Sequence, residues 1–127
     1  MANRPENKKE KDFRKAVTDY INMFGLGVIY KGYEGRTDMQ RHHVLGKSAK
    51  HNKKHIGYWF INAIPFELHD VGSNHPLNVT HHKNKFKDKF GSESSIYRKM
   101  THGMLDAGYG CYLPPNDIFN AIMDTNA

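Results

Sequence analysis

Nine histidines is a high number for 127 residues, and eight of them fall between positions 42 and 82: His42, His43, His51, His55, His69, His75, His81 and His82. Imidazole titrates nearest to neutrality and is also the commonest nitrogen ligand for metals. A lone histidine is usually structural or merely exposed. A cluster with adjacent pairs is better explained by metal binding or proton transfer than by the bland alternative, a histidine-rich face turned to water. The pair His42-His43 lies near the end of a run, Met39 to Leu45, that reads as a strand ended by Gly46. Neighbours on a strand point to opposite faces, so the two rings are expected to have different tasks. One can face a metal while the other faces a phosphate. That division suits phosphodiester hydrolysis, which needs a base to deprotonate water and a cation to stabilise developing negative charge.

The charge pattern points the same way. Nineteen Lys and Arg against thirteen Asp and Glu give a formal charge of +6, which favours a polyanionic partner. From Met39 to Phe66 there is no carboxylate, while Arg41, Lys47, Lys50, Lys53 and Lys54 all fall there. A second basic stretch holds Lys83, Lys85, Lys87 and Lys89. Arg41, Lys47, Lys50, Lys53, Lys54 and Lys83 are therefore the candidates for contacts to a nucleic-acid backbone; a merely solvated face is the alternative. The single cysteine, Cys111, excludes an intramolecular disulfide framework and a cysteine-paired zinc knuckle, and suits a reducing cytoplasm. It is expected to be inert and partly buried. No apolar run approaches bilayer-spanning length, and the polar start predicts no secretory signal.

These groups need elements to position them. Residues 1–9 read as a flexible, basic N-terminal arm, and 10–127 as one small domain. Phe13, Ala16, Val17, Tyr20, Ile21 and Phe24 form one apolar helical stripe, stopped by Gly25. Val28-Ile29-Tyr30 is a short strand candidate, and Lys47 to His55 a long polar loop. Tyr58 to Ile64 carries the strongest strand signal, ended by Pro65; at least one of Trp59 and Phe60 is expected in the core rather than stacked on a base. Phe66 to Val71 starts a short helix. Thr80 is a plausible N-cap for a basic helix that packs through Phe86 and Phe90 and stops at Gly91. Two further helices are expected around Ile96–Met104 and after Pro114-Pro115. The pattern is α+β, with a small β element between helices.

Arg41-His42-His43-Val44-Leu45-Gly46, then Trp59 to Pro65 with Asn62 at its centre, then His69 and His75, then Phe86-Lys87-Asp88-Lys89-Phe90-Gly91, form an ordered set. From about Gln40 to Tyr109 the chain resembles the HNH (ββα-metal) endonucleases of the phage Ref-like recombination nuclease group. The resemblance implies a ββα-metal core at about 38–91 that hydrolyses DNA phosphodiester bonds. It also implies one divalent ion (Mg, Mn or Zn), a recombinase filament as a partner in phage recombination or DNA processing, and a place in the host cytoplasm. It assigns His43 as general base, His42, His69 and His75 as metal ligands, and Asn62 as the residue that holds the His43 ring.

The chain departs from that pattern after Pro65. Six positions with Gly and Asn between them separate His69 from His75. Either the helix breaks and folds back, or His69 pairs with His81 or His82, of which His81 can reach the metal from the start of the basic helix. Asn74 and Asn78 are alternatives to Asn62. Glu67 and Asp70 are the nearest carboxylates in sequence, as ligands, as supports for an imidazole, or as plain surface. His51 and His55 fit phosphate contacts or simple exposure. The rival function is a non-catalytic zinc-binding module for DNA, which histidine-only ligation disfavours.

Overall fold

The computed structural model describes residues 4–127. Helix α1 (Lys8–Phe24) opens with a capping box. The Asn7 side chain accepts from the Glu10 N–H at 2.9 Å and the Glu10 carboxylate accepts from the Asn7 N–H at 2.9 Å, closing two donors a helix start leaves open. The apolar stripe buries Phe13, Ala16, Val17, Tyr20 and Ile21, while Phe24 at its end is half-exposed. Gly25, at φ +79°, ends the helix as expected. Of the expected arm, residues 1–3 lie outside the described residues. Lys8 and Lys9 are already helical, and Arg4 is tied to Glu10 by contacts of 2.5 and 2.8 Å.

The strand expected at Val28 to Tyr30 is instead a 3-10 turn over Leu26–Val28. The amides of Ile29 and Tyr30 both donate to the Leu26 carbonyl, at 3.0 and 2.9 Å. Gly27 lies so close to Glu34 that a Cβ would come within 2.7 Å of the Glu34 Cα, so the chain curls there rather than extending. Tyr30 then reaches back across the fold, its hydroxyl donating to the Ala63 carbonyl at 2.6 Å.

Strand β1 (Met39–His43) pairs antiparallel with β4 (Ile61–Pro65), placing His42 opposite Asn62 and His43 opposite Ile61. Every residue of β4 is buried, as its apolar run implies. Trp59 and Phe60 lie in the turn before it, and both are buried, so both belong to the core. The expected loop of 47–55 contains a second, smaller ladder, β2 (Lys50–His51) with β3 (Lys54–His55). Its turn residues Asn52 and Lys53 both have positive φ, 51° and 65°, the backbone that two-residue hairpin turns require. Asn supplies it without a glycine to announce it.

Helix α2 (Phe66–His69) is one turn; α3 (Lys83–Phe90), α4 (Glu93–Asp106) and α5 (Asn116–Asp124) follow. The cap of α3 is His82 rather than Thr80, because Asn78 organises the chain before it. The Asn78 amide donates to the Glu67 and Asp70 carbonyls, and its oxygen accepts from the Thr80 and His81 amides. Phe86 and Phe90 pack on Tyr30 as the sequence implies. Helices α1 and α4 flank β4 through Phe13, Trp59, Phe60 and Tyr97. On α4, Gly103 leaves room for the Tyr20 side chain of α1: a Cβ there would stand 2.1 Å from its hydroxyl. Cys111 is exposed, on the 3-10 turn before α5, rather than partly buried. The result is a small single-domain α+β fold with five α-helices and two antiparallel sheets among the described residues. No helix there is long and apolar enough to cross a membrane.

Candidate metal centre and adjoining cleft

Alternation along β1 separates the two histidines. Gln40 and His42 turn toward α2 and the start of α4. His42 Nδ1 lies 3.1 Å from His69 Nε2, which α2 brings over the ribbon. On its other side His42 Nε2 lies 3.2 Å from Glu93 Oε1. That contact is electrostatic rather than an aligned hydrogen bond, and this Glu93 oxygen has no hydrogen-bond partner. His69 Nδ1 meets Gln40 Oε1, and Gln40 Nε2 in turn donates to Asp70 Oδ1 at 3.4 Å.

Asp70 fixes the Gln40 amide with its oxygen toward His69, so His69 carries its proton on Nδ1 and presents a lone pair at Nε2. Glu93 favours a proton on His42 Nε2, which leaves a lone pair at Nδ1. Two lone pairs then face each other across 3.1 Å, in a row that ends in a carboxylate at each end. The arrangement is short of one cation between the rings. Either a second proton on His42 or a metal ion satisfies it. Burial, followed by the charge of His42, holds the His69 imidazole below its ordinary pKa, favouring the neutral ring that a metal requires. Glu93 and Gln40 thus stand as carboxylate and amide supports behind two imidazoles, the usual surroundings of metal-bound histidine. Two imidazole nitrogens are borderline donors that suit Zn²⁺ or Mn²⁺ better than Mg²⁺. No group of three or more His, Cys, Asp or Glu side chains converges as a ready ligand set among the described residues.

The other expected ligands lie elsewhere. His75 Nδ1 accepts from the Leu77 amide at 3.0 Å, and His81 Nε2 lies 2.7 Å from the Val71 carbonyl, to which it donates. Both are engaged within the loop between α2 and α3, and neither joins His42 and His69. Asn62 shares the face of its cross-strand partner His42. Its amide donates to the Glu93 carbonyl at 2.9 Å, and its buried oxygen has no partner. The expected hydrogen bond from Asn62 to His43 is therefore not formed: the register puts them on opposite faces. Asn62 instead holds the first residue of α4, and so positions Glu93.

His43 turns to the opposite face, into a cleft of about 770 Å³ between β1 and α1. Its Nε2 is buried without a hydrogen-bond partner. Burial, and then Lys47, keep its pKa below the ordinary value, so the ring is neutral near pH 7. Arg41 and Lys47 line this cleft together with Arg14, Glu6 and Tyr58. The Arg41 guanidinium donates to the Thr18 hydroxyl at 2.7 Å. The remaining basic candidates are dispersed. Lys50 and Lys53 are exposed on the small hairpin. Lys54 pairs with Asp117 at 3.1 Å, and His51 with Asp124 at 2.8 Å, docking that hairpin on α5. Lys83 lies with Lys87 and Glu93 along a smaller hollow of about 290 Å³.

Sequence reasoning missed Glu93, Gln40 and Arg14. Glu67 and Asp70 are nearer in sequence, but Glu67 is held by Arg36 at 2.7 and 2.8 Å, and Asp70 reaches the histidines only through Gln40. The one available signal was Ser92-Glu93, a helix cap and its first acidic residue, which marks a helix start but not what lies beside it. No family model matches the chain, and neither the curated proteins nor the solved structures include a similar one.

Proposed function

We propose that the chain is a metal-dependent endonuclease that hydrolyses DNA phosphodiester bonds. The observation that carries this reading is the His42–His69 pair, whose outer nitrogens lie beside Glu93 and Gln40 oxygens and whose inner nitrogens face each other at 3.1 Å. The order of parts agrees with the ββα-metal motif that the sequence resembles: two antiparallel strands, then a helix, with imidazoles between ribbon and helix. His42 Nδ1 and His69 Nε2 would hold the ion. A divalent ion there supplies positive charge to a phosphoryl oxygen and to the leaving oxygen.

The chain's own groups account for the rest. Glu93 and Gln40 orient the two imidazoles. His43, next along the strand and lining the cleft as a neutral ring, accepts the proton of the attacking water. Arg41 and Lys47 hold the backbone through its phosphates. Because His43 ends β1, a strand laid across the ribbon end can meet both faces. Association with a recombinase filament rests on the family resemblance alone.

The test is nicking of supercoiled plasmid by the purified chain with Mn²⁺, Zn²⁺, Mg²⁺ or chelator, with and without a recombinase filament. Metal-dependent nicking that is lost on chelation supports the proposal. Metal binding by calorimetry with no cleavage of single- or double-stranded DNA under any of these conditions would replace it by a non-catalytic zinc module. If the chain takes up no ion, the proton reading of the His42–His69 contact stands and the endonuclease proposal falls.

A further inference from the structure

The far wall of the cleft comes from α1 and the segment before it. Arg14 lines the cleft, yet both oxygens of Glu6 are on its guanidinium: Oε1 on Nη2 at 3.1 Å and Oε2 on Nε at 3.2 Å. Both side chains are largely covered, 28% and 14% exposed. Glu6 is held there from either side. Asn7 caps α1, while the Arg4 guanidinium grips Glu10, and the Tyr58 hydroxyl donates to the Arg4 carbonyl at 2.7 Å. Arg4 also lies over the Tyr58 ring, 5.4 Å from its centroid. Residues 4–7 are thus a pinned strap, and among the described residues Glu6 is the only carboxylate in a cleft lined by Arg14, Arg41 and Lys47.

A carboxylate bidentate on arginine presents two anionic oxygens, as a phosphodiester presents its two non-bridging ones. We propose that this cleft takes a nucleic-acid strand, and that Glu6 occupies on Arg14 the place of one of its phosphates. This rests on the reading of the chain as a nuclease. Binding exchanges one anion for another at Arg14, so Glu6 sets a threshold. A tethered carboxylate sits at high effective concentration; a lone phosphate competes poorly with it. A strand that also engages Arg41 and Lys47 displaces it.

The experiment is fluorescence anisotropy of a labelled single-stranded oligonucleotide with the full chain, in chelator, over a salt series. Wild type is compared with Glu6→Gln, with Asp106→Asn as the same charge change on α4, and with both Glu6 forms carrying Arg14→Met. Glu6→Gln is expected to tighten binding roughly fivefold and to steepen the log K against log salt slope by about 0.7, the signature of one added single-strand phosphate contact. Asp106→Asn leaves that slope unchanged, and Arg14→Met removes the gain. Arg14→Met alone removes the phosphate contact and leaves Glu6 unpaired in the cleft, so it weakens binding in the wild-type background; no weakening overturns the proposal, and this arm remains decisive if Glu6→Gln fails to fold. Equal effects of Glu6→Gln and Asp106→Asn overturn the proposal. So does displacement of the strand by inorganic phosphate at matched phosphate concentration, which assigns the cleft to free phosphate. So does absence of strand binding in every variant. With chelator present, cleavage plays no part: nicking without these effects sinks the strap alone, and these effects without nicking sink the nuclease reading alone.

Discussion

The two faces of the β1–β4 ribbon present one histidine each and treat it in opposite ways. On one face His42 is flanked by His69 and Glu93, with Gln40 and Asp70 completing the row. On the other, His43 keeps a buried Nε2 with no partner and looks into a basic cleft. A ring locked in one tautomer is suited to hold something. A neutral ring with an uncommitted nitrogen is suited to take a proton. Adjacent positions on a strand acquire these different characters simply because alternation hands them to different neighbours.

The contrast can be broken most severely at His43. His43→Ala is expected to lower plasmid nicking by about 10²–10⁴-fold, the range for loss of a general base, while metal uptake measured by calorimetry is unchanged. If metal uptake vanishes too, the two faces form one centre and the division of tasks is wrong. His69→Ala tests the other face. An ion present at 100 times its Kd raises unfolding stability by about 2.7 kcal/mol, and this variant abolishes the corresponding thermal shift. Its oligonucleotide binding in chelator stays at the wild-type level; a fall there would mean that the cleft leans on the imidazole row. Glu93→Gln is milder. It keeps shape and removes charge, and metal affinity drops by about 10–100-fold, as when a carboxylate behind a ligand is lost. An unchanged affinity would show that Glu93 braces the helix start and nothing more.

The smallest effect concerns acid and the wall of the cleft. Burial pushes the Glu10 carboxyl up, but the Arg4 hydrogen bond and the Asn7 amide outweigh it, and the net pKa lies below the ordinary value. A carboxyl depressed on folding contributes stability above its unfolded pKa and loses it as pH falls through the folded one. The melting temperature of wild type therefore falls more steeply than that of Glu10→Gln as pH drops below the ordinary carboxylate range. Parallel curves would mean that Arg4 does not pin the strap through Glu10.

What the sequence disclosed follows from the range of each signal. The α1 stripe, the Gly25 stop, the apolar run of β4 and the opposition of His42 to His43 are local patterns, readable within a few residues. His69 beside His42 was also legible, because α2 follows β4 directly. Glu93 was not: it arrives from 51 positions beyond His42, delivered by the cap of α4 and held by Asn62. The Asn52-Lys53 hairpin escaped because its positive φ angles fall on residues other than glycine. The Val28 to Tyr30 strand failed because β-branched composition lost to a tight turn set by Gly25 and Gly27.

Gly103 belongs to neither site, yet it stands where α4 meets the Tyr20 side chain of α1. Helix α1 carries Arg14 to the cleft and α4 carries Glu93 to the histidine row. The gap between these helices is gauged where the Tyr20 hydroxyl fills the place of a missing methyl group. A single added carbon there would force the end of the Tyr20 side chain to shift, and with it the packing between α1 and α4. Glycine at this point therefore acts as a tolerance, in the machinist's sense, on the fit between the two helices.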